Sequence, residues 1–104
     1  MNDKNKKVVL KFLDGVEFEQ KYIDEILDRF PKETIDLLNS EWETVRTNIN
    51  YIKDLGINNY QDAFLRFHNM FLIEPISFDG IFSKYDKDDL IIKLEKNIAI
   101  MEHL

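Results

Sequence analysis

Apolar residues recur along this chain at intervals of three and four, with acids and lysines filling the gaps. Between Phe18 and Phe30 they fall at 18, 22, 23, 26, 27 and 30, interleaved with Asp24, Glu25, Asp28 and Arg29. That spacing is the stripe of an amphipathic helix. Pro31 ends it, because the residue before a proline is pushed out of helical geometry, and Pro31 can occupy the first turn of a short helix through Leu38. Ser40 with Glu43 three residues on reads as a capping box, opening a helix with the buried stripe Trp42, Val45, Ile49 and Ile52 that Gly56 stops. Tyr60, Phe64, Phe67 and Phe71 keep the 4-3-4 spacing of a buried seam and predict a central helix over 59–73. Beyond Pro75 a short helix is expected around Phe78, Ile81 and Phe82. A last helix, capped by Asp86 with Asp89 in its first turn, carries Leu90, Ile91, Leu94, Ile98 and Met101.

The N-terminal stretch is less decided. Residues 1–6 have no apolar residue after Met1 and read as a frayed terminus. Residues 8–19 allow a β-hairpin, since Asp14-Gly15 lies between two apolar runs and Val16 to Glu19 alternates. They equally allow a short helix with Gly15 as the left-handed residue just past its end. The helical reading is preferred because a phrase recurs: Lys11-Phe12-Leu13-Asp14-Gly15-Val16 is echoed by Asn50-Tyr51-Ile52-Lys53-Asp54-Leu55-Gly56-Ile57, each followed by a polar stretch and a second amphipathic segment. A fainter third copy of the second half is read at Leu94 to Ile98. The expected fold is therefore all-α, a compact bundle of about six or seven short helices in two to three stacked helical repeats, forming a single domain over 1–104.

At these residues the chain resembles the repeats of the mitochondrial transcription termination factor family. Leu27-Asp28-Arg29-Phe30-Pro31 is similar to that family's Leu-x-x-x-Pro element, and Asn48 to Ile57 to its helix ending in Leu-Gly. The second copy has Asn69 and the third Ile98 where the family places proline. The resemblance implies a helical-repeat fold and nucleic-acid binding, with Lys4, Lys6, Lys7 and Lys11 as the contacts available.

Charge points elsewhere. The net charge is -6, which opposes attraction to phosphate and to anionic lipid, so nucleic acid is an unlikely partner and a membrane is not expected. Residues 14–43 hold ten acids against Lys21, Arg29 and Lys32, whereas residues 1–11 are net +3. Glu17 with Lys21, Lys21 with Glu25, and Glu25 with Arg29 are four apart and expected to pair along a helix. Asp14, Asp24, Asp28, Glu33, Asp36, Glu41 and Glu43 are left without evident local cations, a field suited to steering a basic partner.

Chemistry is sparse. There is no cysteine, which removes disulfides, thiol nucleophiles and thiolate metal sites. His68 has only Phe64, Leu65, Phe71 and Leu72 as helical neighbours and reads as structural. Asp86 to Asp89 cannot open a calcium loop, because Ile91 and Asn97 stand where glycine and glutamate are needed. Ser40, Ser77 and Ser83 lack a nucleophile context. The aromatic seam has only Arg66 beside it, which reads as core rather than a base-stacking platform.

The expectation is a cytoplasmic, non-enzymatic module without catalytic residues, metal or cofactor, binding a basic protein surface as an immunity protein, antitoxin or phage anti-defence inhibitor does. Two alternatives stand beside it: the helical-repeat nucleic-acid binder, and a structural subunit of a larger helical assembly, for which a homodimer is possible. Richness in Asn, Ile, Lys and Asp hints at an AT-rich bacterial or phage genome.

Overall fold

The computed structural model describes residues 12–104, which form seven α-helices and two 3-10 segments, with no strand among the described residues. In chain order these are α1 (Phe12–Gly15), α2 (Gln20–Arg29), α3 (Lys32–Ser40), α4 (Trp42–Leu55), α5 (Tyr60–Phe67), a 3-10 segment (His68–Leu72), α6 (Pro75–Ser83), α7 (Lys87–Lys96) and a second 3-10 segment (Ile98–His103). The all-α bundle is as expected. Of the alternative hairpin, residues 12–15 are helical and 16–19 contain no strand; residues 8–11, like the frayed terminus expected at 1–6, lie outside the described residues.

The two copies of the repeated phrase pack side by side, α1 against α4 and α2 against α5. The most embedded helix is α4, which touches α1, α3, α5, the first 3-10 segment and α6, rather than the expected segment 59–73. Length is the reason, since its fourteen residues give three buried apolar levels, Val45, Ile49 and Ile52. Gly56 ends α4 in the left-handed region at φ 106°, and the Ile57 N–H returns to the Ile52 carbonyl at 3.1 Å. A Cβ at Gly56 would also come within 3.3 Å of Ile91 Cδ1, so the same glycine lets α7 approach.

Gly15 does not copy Gly56. It is the last residue of α1, and Glu17 takes the left-handed conformation instead, at φ 63°. A side chain there is strained unless its surroundings hold it. Here Lys53 Nζ donates to the Val16 carbonyl (3.1 Å) and to Glu17 Oε1 (2.7 Å), Tyr60 Oη donates to the Glu17 carbonyl (2.9 Å), and the Glu19 N–H donates to Gln61 Oε1 (2.6 Å). Three side chains from α4 and α5 thus fix the loop between α1 and α2.

The predicted seam helix breaks. At Phe67 the backbone turns to φ -127°, ψ 39°, and residues 68–72 tighten into 3-10 geometry. Buried Asn48 on α4 stabilises the break, its Nδ2 donating to the carbonyls of Phe71 (3.0 Å) and Ile73 (2.8 Å), which the shortened helix leaves without amide partners. The seam nonetheless stays continuous through its rings. Phe18, Phe64, Phe71, Phe78 and Phe82 are all buried and follow one another at centroid separations of 5.6, 5.2, 5.4 and 4.9 Å, offset or edge-on as aromatic quadrupoles prefer.

Other boundaries differ from expectation for local reasons. Pro31 is the N-cap of α3 rather than part of its first turn. The Ser40–Glu43 capping box does not form, because α3 runs through Ser40 and the Glu41 N–H bonds back to the Leu37 carbonyl at 2.9 Å. Asp86 does cap α7, its Oδ2 accepting from the Asp89 N–H at 3.0 Å. No described helix is long and apolar enough to cross a membrane.

Candidate functional site

Burial on one side of α2 and α3 dictates what the other side shows. Ile23 and Ile26 turn inward from α2, with Leu27 and Phe30 half-buried, which leaves Asp24, Glu25 and Asp28 exposed. In α3, Ile35 and Leu38 turn inward, and Glu33, Asp36 and Leu37 face solvent. Glu41, Trp42 and Glu43 are exposed at the corner where α3 meets α4. Six of the seven acids singled out from the sequence, Asp24, Asp28, Glu33, Asp36, Glu41 and Glu43, are therefore on the surface. Asp14 falls within α1, and its side chain lies outside what is described.

Their charges are not all free. Lys32 Nζ meets Asp36 Oδ2 at 3.0 Å, a four-residue pair along α3 that neutralises one of the seven. Asp24 accepts from Gln20 Nε2 at 2.8 Å, which engages it without neutralising it. Asp28, Glu33, Glu41 and Glu43 have no ion pair among the described residues. Of the expected helical pairs only Glu25 with Arg29 forms, at 3.1 Å; Lys21 lies 5.5 Å over the Tyr22 ring, and Glu17 reaches Lys53 instead. The exposed pairs are each worth about 0.2–1 kcal/mol or less, so the acidic face does little for folding.

Two apolar side chains stand within this acidic region. Leu37 is 47% exposed and Trp42 38% exposed, although spacing had assigned Trp42 to the buried stripe. Trp42 is the first residue of α4, at the rim of the core. Its indole takes the Arg46 guanidinium at 4.9 Å and tilts against Phe12 at 6.5 Å. Beside it an open groove of about 900 Å³ runs between α1 and α4, past Asn50 and Tyr51 to Asp54. Tyr51 turns its ring onto Phe78 and Phe82, and its hydroxyl pKa is pushed up to about 12 by the neighbouring Asp79 carboxylate and by burial.

Among the described residues no group of three or more His, Cys, Asp or Glu is placed to hold a metal ion. His68 is half-buried against the Phe30 ring, with centroids 4.3 Å apart, and its Nδ1 is buried without a protein hydrogen-bond partner. Burial lowers its pKa below the ordinary 6.5. A depressed histidine stays neutral in the fold while the unfolded chain takes up a proton, so its contribution is complete above pH 6.5 and is lost as pH falls through the folded value. Glu17, held low by its hydrogen bond to Lys53 and by the lysine charge, adds a second loss below the ordinary carboxylate value of 4.5. Urea unfolding is expected to show lower stability at pH 5 than at pH 7.5, and His68→Gln to flatten that interval while leaving the decline below pH 4.5; equal slopes for the two proteins would contradict it. Compared with known proteins, the chain matches no family model, no curated protein and no solved structure.

Proposed function

We propose that this protein is a cytoplasmic, non-enzymatic binding module, an acidic inhibitor of the immunity-protein, antitoxin or phage anti-defence type, and that its target is a basic protein surface. The observation that carries this reading is the exposed, largely unpaired acidity of consecutive elements: Asp24 and Asp28 on α2, Glu33 on α3, and Glu41 and Glu43 at the α3–α4 corner. Leu37 and Trp42 supply apolar contact within the same region, an arrangement in which a few anchors give affinity and the charges around them give rate. The acids cost little to replace structurally, which makes the reading testable without unfolding the protein.

The test is capture from lysate by the wild-type chain and by the triple variant Asp24→Lys, Asp28→Lys, Glu33→Lys, followed by stopped-flow kinetics on the protein that only the wild type retains. The expected target is basic. Its association rate should fall at least tenfold with the variant, and the dependence on ionic strength should flatten, since long-range steering is screened by salt. Unchanged association kinetics would rule the reading out.

A further inference from the structure

The outward stripe of α4 carries opposite charges at its two ends. Arg46, Asn50 and Asp54 are four residues apart and line the groove between α1 and α4. Arg29 and Arg66 each pair with a carboxylate one turn away, whereas Arg46 has no carboxylate partner among the described residues and rests on the Trp42 ring. Asp54, exposed at the other end of the groove, likewise has no ion pair among them. The two cannot satisfy each other, because eight residues of helix separate them by about 12 Å.

We propose that this groove is a homodimer interface, in which α4 of a second copy lies antiparallel against it about a two-fold axis at Asn50. That axis puts Arg46 of each chain opposite Asp54 of the other, both about 6 Å from the centre, at a helix separation of about 8–10 Å that an arginine side chain spans. Asn50 meets its own copy at the axis, where an amide can both donate and accept. Charge complementarity selects this occupant. A parallel copy would set Arg46 against Arg46, and a basic partner would be repelled at Arg46 as much as it is attracted at Asp54. Gly15, exposed on the facing wall, leaves the approach open; a Cβ there would meet no atom of another described element within 4 Å.

Sedimentation equilibrium of the full chain, at low and high salt, tests the interface. The wild type should dimerise at submillimolar concentration and more weakly in salt. Arg46→Asp and Asp54→Arg, each of which creates two like-charge contacts, should weaken the dimer at least tenfold. The double variant should recover it to within about threefold, because the exchanged pairs are again opposite. Gly15→Gln, which adds bulk at the approach, should also yield monomer, with circular dichroism unchanged in all variants. A wild type that stays monomeric overturns the proposal, whether acrylamide quenching shows Trp42 open to solvent or shielded by the chain's own residues 1–11. So does a dimer indifferent to Arg46→Asp, or a double variant no better than the single ones. The acidic-surface reading is tested separately, since it is read from association kinetics of variants at Asp24, Asp28 and Glu33, and Trp42 alone belongs to both surfaces.

Discussion

Phe71→Ala is expected to lower the free energy of unfolding by about 3–5 kcal/mol, the usual cost of removing a fully buried phenylalanine. The ring has 0% exposure and sits between Phe64 at 5.2 Å and Phe78 at 5.4 Å, so the loss includes two aromatic contacts as well as the area withdrawn from water. The cavity would not easily collapse, because the surrounding backbone is tied from outside: the Phe71 carbonyl is one of the two that Asn48 holds. Against a total stability of about 5–15 kcal/mol for a domain of this size, the variant would be marginal, with a melting temperature roughly 15–30 °C lower. Half-buried Phe67, three and four residues from its buried neighbours Phe64 and Phe71, provides the control: Phe67→Ala should cost clearly less. Thermal and urea unfolding followed by far-ultraviolet circular dichroism measures both, and similar losses for the two would mean that the chain of rings is not the centre of the packing.

Asn48→Ala is the second large effect, at about 2–4 kcal/mol, arising from two carbonyls left without their donor, one of them in a buried bond and the other in a partly buried one. The side chain is 1% exposed and both bonds are short, 3.0 and 2.8 Å. Asn48→Asp should be worse at neutral pH despite its equal size, because an ionised carboxylate only accepts hydrogen bonds and would face two acceptor oxygens. Burial raises the pKa of such a carboxyl group, so the folded form binds a proton more tightly than the unfolded one, and stability should recover as pH falls below the folded value. The check is urea unfolding of both variants at pH 7.5 and pH 5. A variant Asn48→Asp as stable as the wild type at pH 7.5 would show that the two carbonyls are served by something other than this amide.

Much of the fold was legible because its signals are local. The apolar spacing of α2, the stop at Gly56 and the Asp86 cap each depend on residues within one or two turns, and each is in place. The misreadings share a different character. The break at Phe67 is set by Asn48, some twenty residues away, and the 4-3-4 spacing of rings is compatible with an uninterrupted helix as well as with a helix followed by a 3-10 turn. Glycine chemistry marked Gly15 for the left-handed turn, but Lys53 and Tyr60 reach in from 36 and 43 residues away and hold Glu17 there. The Ser40 and Glu43 signature is real as local chemistry, yet α3 continues through Ser40, which takes that residue out of the cap position and turns the Glu41 N–H back to the Leu37 carbonyl.

The candidate surface was legible as charge and not as geometry. Acids on amphipathic helices fall outward once the apolar stripe is known, so Asp24, Asp28 and Glu33 could be placed from the sequence. Lys32 with Asp36 was within reach of the same four-residue rule. Trp42 and Arg46 were not, because hydrophobic character alone places a tryptophan in the core, and only the start of α4 at that very residue sets it at the rim.

The row of phenylalanine rings bears on how such a chain can change over evolutionary time. Stacked-repeat proteins gain and lose units readily, since each repeat touches only its neighbours. Here Phe18, near the start of the described chain, is joined through Phe64, Phe71 and Phe78 to Phe82, so losing the first copy with its following helix would remove the end of the row, and losing the second would part Phe18 from Phe71. Lengthening is equally obstructed, because a copy inserted between Phe64 and Phe78 would part rings now in contact. Descendants of this chain should therefore differ by substitution on the outer faces of α2 and α3, and not by the number of their helices.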